Sequence, residues 1–309
     1  MTTLFYSHPA CEAHDTGPLH PENPGRLKAI MKKLDSPEFA PLIRREAPYA
    51  EHQQIARVHP ESFVQALLAA VPASGERMID ADTVLSPGSG EAALRAAGAV
   101  VSAVDAVMAG EADNAFCAVR PPGHHAEPAQ AMGFCLFNNV AVGALQARAV
   151  HGCKRVAVVD FDVHHGNGTQ AMFWDDPDLL YASTHQAPFY PGTGASDEQG
   201  VDGNIVNVPL PAGAGSAAFR EAMRGVVIPA LNDFQPDFLM ISAGFDAHAE
   251  DPLAGLNLVE EDYAWATQQL MEVARSACGG RLVSVLEGGY DHQALARSVA
   301  AHVRTLMRF

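Results

Sequence analysis

The sequence is short of positive charge. It has 20 lysine and arginine residues against 36 aspartate and glutamate residues, which gives a formal net charge of −16 at pH 7. Nucleic acids and anionic membrane surfaces attract proteins through lysine and arginine, so this balance argues against both. We therefore expect no nucleic-acid partner and no membrane partner. The acidity favours a cationic substrate only weakly.

Cysteine is also scarce, and long apolar runs are missing. The five cysteines are widely spaced and form no Cys-x-x-Cys pair, which is more typical of a reducing compartment than of a disulfide framework. No uninterrupted apolar run approaches the ~20 residues that span a bilayer. The first residues lack the basic and apolar segments of a signal peptide. These features predict a cytoplasmic protein and leave its oligomeric state open, with a homo-oligomer among the outcomes.

Apolar residues are abundant, at 48% of the 309 residues. That content is sufficient for one large α/β domain, and no linker-like, repetitive or low-complexity stretch divides the chain. We therefore expect a single domain over residues 1–309.

Short apolar runs alternate with helical patterns along the chain. Seven runs are typical of strands that are buried on both faces of a parallel sheet: 3–6, 115–119, 155–161, 179–183, 205–208, 238–242 and 282–286. Five segments have helical patterns: 90–108, 138–150, 216–231, 260–277 and 292–307. This alternation predicts an α/β fold, specifically a three-layer α/β/α sandwich.

Polar side chains gather where five of the apolar runs end. The motifs are RPPGHH, DFDVHH, STH, SAGFDAH and LEGGYD. In an open α/β sheet the ligand site lies beyond the carboxyl ends of the strands. The five motifs together predict a site at that edge, and they are stronger evidence than any one of them alone.

The stretch DFDVHHGNGT places carboxylates and imidazoles directly after a buried run, where an unpaired charge costs several kcal/mol. Along an extended strand, Asp160, Asp162 and His164 would point to one side. Asp162 and His164 could then bind a divalent ion, with Asp246 of SAGFDAH as the third ligand and one position left for water. His248 is the alternative third ligand, farther from its strand end. A lone Asp-x-His is more often a surface turn, but the other strand ends favour the metal.

Two further motifs supply groups for proton transfer and hydrogen bonding. In RPPGHHAEP, two prolines stiffen a loop that presents His124 and His125, and imidazole titrates near neutral pH. In LEGGYD, two glycines let the backbone turn tightly before Tyr290, whose phenol can donate to an acyl oxygen that gains charge. Solvated histidines and an ordinary tyrosine are the commoner interpretations of each motif by itself. Four other histidines are expected to be solvated: His52, His59, His151 and His302.

Taken together, the motifs predict metal-assisted hydrolysis of an amide. No G-x-S-x-G motif and no P-loop are present in the sequence. In order along the chain, the motifs resemble the histone deacetylase and acetylpolyamine amidohydrolase family. The matching segments cover nearly the whole chain: HPENPGRL, RPPGHHA, GFCLFNN, VDFDVHHGNGTQ, FYPGTG, SAGFDAH and LEGGYD. The resemblance implies an arginase/deacetylase-like fold with a central, mostly parallel sheet of about eight strands.

The resemblance also implies a ligand set and catalytic roles. Zn2+ would be bound by Asp162, His164 and Asp246, and Fe2+ would suit the same ligands. His125 would be the general base and later the general acid, and Tyr290 would polarise the acyl oxygen.

Two residues would support the histidines. Asp160 would orient His124, which would act as the electrostatic partner of His125. Asn167 would lie behind His125, where class I deacetylases carry an aspartate, so the chain resembles the class II and bacterial-type enzymes. Because an amide stabilises an imidazolium less than a carboxylate does, we expect His125 to be neutral at rest.

Six residues would form a narrow channel around the alkyl stem of the substrate: Phe134, Tyr190, Leu253, Gly133, Asp82 and Arg26. Phe134 and Tyr190 would form its walls, and Leu253 would pack at its mouth. Asp82 would contact the substrate at the rim, and Arg26 would lie at the inner end, where acetate leaves.

Relatives also bind K+ beside the zinc, mostly through backbone oxygens. One such site is matched by Asp160, Asp162, His164, Ser183 and Thr184. A second site is matched less well, by Phe173, Asp176 and Leu179.

The function that the sequence favours is a zinc-dependent deacylase. Its substrate would be an acyl-lysine side chain of a peptide or protein, or an acetylated polyamine. One alternative is a ureohydrolase-like enzyme with two Mn2+ ions on the same fold, which needs more Asp and His ligands than the motifs supply. The other is a non-catalytic protein that binds acyl-lysine or acetate, which would not need histidines that transfer protons.

Overall fold

A parallel sheet of eight strands forms the centre of the molecule, whose computed structural model describes residues 1–308. The strands of the chain are β1 Thr3–Ser7, β2 Ile43–Glu46, β3 Arg77–Met78, β4 Val84–Leu85, β5 Asn114–Cys117, β6 Val156–Asp160, β7 Leu179–Gln186, β8 Ile205–Leu210, β9 Phe238–Ala243 and β10 Leu282–Leu286. The central sheet has the order β2-β1-β5-β10-β9-β6-β7-β8, and every neighbouring pair in it is parallel. β3 and β4 form a separate antiparallel pair.

Helices cover both faces of this sheet. They are α1 Ala10–Ala13, α2 Gly25–Leu34, α3 His52–Ile55, α4 Glu61–Ala69, α5 Ser89–Met108, α6 Asn139–His151, α7 Asn167–Phe173, α8 Ser216–Ala222, α9 Ile228–Phe234, α10 Glu260–Cys278 and α11 His292–Arg308. α5 and α6 pack together against the sheet, and α2, α10 and α11 form a second packed group. The predicted three-layer α/β/α fold is therefore confirmed. No helix in residues 1–308 combines the length and apolarity that a bilayer crossing requires.

Most of the strands that the sequence revealed lie between the two helical layers. β6, β9 and β10 have the sequences VAVVD, FLMISA and LVSVL, and every residue in them is buried. Such continuous burial is typical of parallel strands covered on both faces. The sequence pattern missed β2, because its residues IRRE are polar and it lies at the edge of the sheet, largely exposed.

One predicted helix is interrupted. The segment 216–231 forms α8, a wider π-helical turn at Met223–Val227, and then α9. Pro229 lies at the start of α9, where it has no backbone N–H to continue the regular hydrogen-bond ladder.

The order of the strands positions the polar motifs. β5, β10, β9, β6 and β7 are consecutive neighbours, so their carboxyl ends meet at one edge of the sheet. RPPGHH follows β5, LEGGYD begins at the end of β10, SAGFDAH at the end of β9, and DFDVHH at the end of β6. The predicted shared edge is confirmed.

Candidate active site

Three donor atoms converge where β6 and β9 end. One ligand atom each from Asp162, His164 and Asp246 lies within 4.8 Å of the other two, and all three side chains are buried. Nδ1 of His164 lies 3.1 Å from Oδ1 of Asp162 and 3.2 Å from Oδ2 of Asp246. The alternative ligand, His248, lies outside this group, and its Nε2 is 3.5 Å from a carboxylate oxygen of Glu260.

The backbone conformation that brings these ligands together differs from the predicted one. β6 ends at Asp160, and residues 162–164 form a bend, so the alternation of an extended strand does not continue to His164. In the bend, the backbone N–H of His164 donates to Oδ1 of Asp162 at 2.8 Å. The two side chains therefore come together as expected, but through a local bend and not through an extended strand.

The cluster fits a divalent cation. Oδ2 of Asp246 is buried and makes no hydrogen bond among the described residues, although Nδ1 of His164 lies 3.2 Å from it. Burial and the neighbouring Asp162 raise the pKa of Asp246, so an ionised carboxylate there requires compensation. A Cβ on Gly244 or Gly288 would overlap these carboxylates, so only glycine leaves room for them. Two carboxylates and an imidazole are the oxygen and nitrogen donors that zinc accepts.

His124 forms a charged pair beside the ligands. Its Nδ1 lies 2.9 Å from Oδ2 of Asp160, which also accepts from the hydroxyl of Tyr181 at 3.0 Å. Burial alone would lower the pKa of His124, but the carboxylates of Asp160 and Asp162 raise it to about 10. The ring is therefore held in one orientation by a carboxylate.

His125 has the opposite environment, although its ring centroid lies only 4.0 Å from that of His124. Its Nδ1 lies 2.8 Å from Oδ1 of Asn167, an uncharged acceptor. Burial, together with the positive charges of His124 and His164, lowers the pKa of His125 well below its usual range. Because Nδ1 donates to the amide oxygen, Nε2 is left as the acceptor for a proton.

A buried glutamate, Glu287, fixes the loop that carries these two histidines. One of its oxygens accepts from the backbone N–H of Gly123 at 2.7 Å and of His124 at 3.1 Å, and the other accepts from Ser242 at 3.0 Å. Burial raises the pKa of Glu287 to about 7. The sequence pattern singled out Tyr290 in LEGGYD and missed Glu287, although a carboxylate directly after a fully buried strand was the available signal.

Tyr290 and Arg26 lie at the inner end of the site. Burial and the charge of Asp246 raise the pKa of Tyr290 well above its usual value, so the phenol keeps its proton and can donate. The guanidinium of Arg26 lies 5.1 Å from the ring centroid of Tyr290 and donates from Nε to the carbonyl of Gly289 at 2.6 Å. Arg26 thus supports the backbone turn that presents Tyr290.

A narrow cavity of about 90 Å³ leads to these groups. Five of the six predicted channel residues line it, together with His125, His164 and Tyr290. The five are Asp82, Gly133, Phe134, Tyr190 and Leu253. Arg26 is the exception, because it lies behind Tyr290 and does not reach the cavity wall.

The wall at Phe134 depends on an uncommon backbone conformation. Gly133 and Phe134 have φ angles of 57° and 67°, and a Cβ on Gly133 would overlap the ring of His125. The backbone N–H of Gly133 donates to Oδ1 of Asp82 at 3.2 Å, and that of Phe134 donates to the hydroxyl of Thr83 at 3.1 Å. Asp82 therefore anchors the channel wall in addition to lying at its rim.

Comparison with known proteins agrees with this geometry. The histone deacetylase domain family matches residues 20–306. This chain belongs to the histone deacetylase family. It is 44% identical over 277 residues to the histone deacetylase-like amidohydrolase of Pseudomonas aeruginosa, which covers 88% of this chain and 73% of that protein. It is 38% identical over 328 residues to the chloroplastic histone deacetylase 14 of Arabidopsis thaliana, covering 98% of this chain and 76% of that protein.

A solved structure shows the same fold. The crystal structure of the HDA15 HD domain superposes on this deacetylase-family chain with a TM-score of 0.93 and 37% sequence identity. The superposition covers 99% of this chain and 88% of that one. The family and the deacetylase-like fold that the motifs predicted are both confirmed.

Potassium binding stays a prediction for this deacetylase-family chain. In the first predicted site, Asp160 and Ser183 are directly paired across β6 and β7, and Thr184 follows in β7. The hydroxyl of Ser183 lies 2.9 Å from Nδ1 of His185.

The oxygens of the second predicted potassium site already have a partner. Nδ2 of Asn204 donates to the carbonyl oxygens of Phe173, Asp176 and Leu179 at 2.8, 3.0 and 2.9 Å. These three carbonyl oxygens therefore face one amide nitrogen, and potassium binding there also stays a prediction.

Two of the histidines expected to be solvated are buried. His59 is 1% exposed, and its ring nitrogens bond the carbonyl of Pro128 and the backbone N–H of Asn138. His302 is fully buried between Thr267 and Ser284. The sequence pattern around His302 is helical, and its burial depends on the packing of α11 on the sheet, which no local pattern reveals.

Proposed function

We propose that this protein is a zinc-dependent deacylase that removes acetyl or related acyl groups from an amine. The observation that carries the proposal is the convergence of Asp162, His164 and Asp246 at the bottom of a narrow cavity. His125 and Tyr290 line the same cavity, so a proton acceptor and a hydrogen-bond donor face the place where an acyl group would lie.

The side chains divide the chemistry between them. Nε2 of His125, left free by the bond from Nδ1 to Asn167, accepts the proton of the attacking water and later returns it to the departing amine. Tyr290 donates its phenolic proton in a hydrogen bond to the acyl oxygen as that oxygen gains negative charge. When bound, a divalent ion would polarise the water and the acyl oxygen and lower the barrier for attack.

The cavity favours an extended, unbranched acyl-amine substrate. Phe134 and Tyr190 supply apolar walls, and Asp82 lies at the rim, where a second amine or a peptide N–H could be bound. An acyl-lysine side chain and an acetylated polyamine both have this shape. The net charge of −16 adds a general attraction for the polyamine.

A panel of acyl amides, assayed with metal-stripped and Zn2+-restored protein, tests the proposal. Acetate release from either N-acetylputrescine or an acetyl-lysine peptide, lost on stripping and recovered with Zn2+, is the expected result. Tight peptide binding without acetate release would indicate a non-catalytic binder. Two metal ions per chain with ureohydrolase activity would indicate the dimetal alternative.

A further inference from the structure

The amide of Asn167 has two different ends, and only one of them suits the proposed base. Its oxygen accepts hydrogen bonds and its nitrogen donates them. If the oxygen faces His125, Nδ1 of the ring must carry the proton and Nε2 is free. If the nitrogen faces His125, Nδ1 must be the acceptor, and Nε2 then carries the proton and cannot take another. The orientation of one amide therefore decides whether His125 can act as a base.

The surroundings of Asn167 select the first orientation. Nδ2 of Asn167 lies 2.8 Å from Oε1 of Glu127, 3.4 Å from the sulfur of Met132 and 3.5 Å from the carbonyl oxygen of His125. All three neighbours are acceptors. Reversal of the amide would place its oxygen against a carboxylate oxygen, which is repulsive, and would leave the nitrogen end without these partners.

Glu127 is the strongest of the three acceptors, because a hydrogen bond to an ionised carboxylate is stronger than one to a neutral group. Its backbone is held by a tight turn, in which the N–H of Glu127 donates to the carbonyl of Gln130 at 2.9 Å. The side chain is half-buried at the edge of a surface cavity of about 340 Å³ that Asn167 also lines. Glu127 is thus fixed in place, outside the substrate cavity.

We propose that Glu127 is a positioning residue that sets the tautomer of His125 through Asn167. This inference rests on the proposed function only in making His125 the base. An aspartate at position 167 would present an acceptor whichever way it turned, so it would need no such partner, and Glu127 would repel it. Glu127 and Asn167 should therefore act as a matched pair.

Variants at both positions test the pair, with acetate release as the assay. In Zn2+-loaded protein, Glu127→Ala should lower kcat roughly 10-fold with little change in KM, as for other groups that orient a reacting imidazole. Glu127→Gln keeps an acceptor oxygen and should retain most of kcat. In an Asn167→Asp background the sign should reverse, because Glu127→Ala then removes repulsion and should raise kcat. Gln130→Ala, an exposed change in the same turn, is the matched control and should have no effect.

A second measurement does not depend on turnover. The 15N chemical shifts of the His125 ring, assigned by comparison with His125→Ala, should show a protonated Nδ1 in the unchanged protein and a mixture of tautomers in Glu127→Ala. An inactive unchanged protein would count against the proposed function, while the ring shifts would still decide the role of Glu127. Unchanged shifts in Glu127→Ala, with kcat equal to that of Gln130→Ala, would overturn the inference.

Discussion

Two clusters of buried charged side chains lie side by side in this fold. The charges of one cluster are paired within the protein, and those of the other are not fully paired. The arginine cluster consists of Glu22, Arg26 and Arg120, all fully buried. Arg120 binds Glu22 through two nitrogens, with Nη2 at 2.7 Å from Oε2, and Arg26 adds a bond of 3.0 Å. Burial alone would raise the pKa of Glu22, but the two arginines hold it well below its usual range. Each charged group of this cluster has an oppositely charged partner within the protein.

The carboxylate cluster consists of Asp160, Asp162, Asp246 and Glu287, also fully buried. The hydrogen bonds to these four side chains come from backbone N–H groups, histidines and hydroxyls. Burial raises the pKa of Asp246 and Glu287, and Asp162 contributes to both shifts. The cluster is short of positive charge, and a divalent cation would supply what arginine supplies in the other cluster.

Arg26 connects the two clusters. It pairs with Glu22, donates from Nη2 to the carbonyl oxygen of Glu287, and lies against the ring of Tyr290. The difference between the clusters corresponds to a difference in role. A cluster whose charges are paired within the protein stabilises the fold, whereas a cluster that lacks positive charge can bind a cation.

The largest expected effect comes from a change within the carboxylate cluster. Asp246→Asn removes one ligand charge, and turnover should fall roughly 1,000-fold or more, because a bound metal supplies several kcal/mol to the transition state. Zinc per chain should fall well below one when measured by elemental analysis. The metal-free variant should melt at a higher temperature than metal-free unchanged protein, because a like charge has been removed.

Asp15→Asn, a change at an exposed aspartate outside both clusters, is the control. It should retain zinc and turnover. A stoichiometric zinc content and normal turnover in Asp246→Asn would refute the ligand assignment.

The next effect is on stability and comes from the arginine cluster. Arg120→Met leaves Glu22 without its two-pronged partner, and the free energy of unfolding should fall by about 3–5 kcal/mol, as for other broken buried pairs. Urea denaturation measures the change. Arg26 still pairs with Glu22 in that variant, so the double variant Glu22→Gln/Arg120→Met should lose more stability, because the guanidinium of Arg26 is then buried without a carboxylate. A double variant as stable as the single one would refute the charge pairing between Glu22 and Arg26.

The sequence predicted the carboxylate cluster far better than the arginine cluster. Asp162, His164 and Asp246 follow strands directly, so the order of parallel strands was sufficient to place them at one edge. Glu22 and Arg120 are 98 residues apart, and their pairing depends on how the loop before α2 folds over the sheet. Nothing in the residue pattern near either of them indicates the other.

Local sequence patterns also explain three further differences between the predictions and the structure. β2 was missed because an edge strand is not required to be apolar, and the bend at residues 162–164 was missed because strand alternation was extended past the end of β6. His302 was expected in solvent because the periodicity of α11 does not show which layer it packs against.

His302 adds a third case to the comparison of buried charges. If this buried group were protonated, neither an arginine nor an ion would balance its charge. The hydroxyl of Thr267 donates to the carbonyl of Tyr263, so it must accept from Nδ1 of His302, and Nε2 then accepts from Ser284. This arrangement requires the neutral imidazole, and burial lowers the pKa of His302 to about 3.

Because burial lowers the pKa of His302, stability should fall as the pH falls. The folded state disfavours the charged ring, so the contribution of neutral His302 is fully present above about pH 6.5 and is lost as the pH falls toward about 3. Between pH 7 and about pH 5 the unchanged protein should lose about 2 kcal/mol of stability more than His302→Asn does. Urea denaturation at both pH values, compared between the two proteins, isolates this residue from the other buried histidines. Equal losses would show that His302 is protonated in the folded state.

The smallest expected effect concerns a carboxylate that backbone groups bind. Asp251 accepts from the backbone N–H of Tyr290 at 2.7 Å, of Asp291 at 3.4 Å and of Leu253 at 3.0 Å. It thereby links the turn that presents Tyr290 to the loop that carries a channel residue. Burial and the charge of Asp246 raise the pKa of Asp251 to about 7, so these N–H groups do not balance it fully.

Removal of this link should displace Tyr290 without emptying the metal site. Asp251→Ala should lower kcat roughly 10-fold while zinc per chain stays at one, because a small misplacement of a donor weakens its bond to the developing charge. Asp251→Asn keeps one acceptor oxygen and should lose less. Glu250→Ala, at an exposed neighbour that pairs with Arg297, should leave kcat unchanged. If kcat of Asp251→Ala matched that control, the position of Tyr290 would have to be set by Arg26 and the glycine turn alone. Asp251 would then have only a structural role.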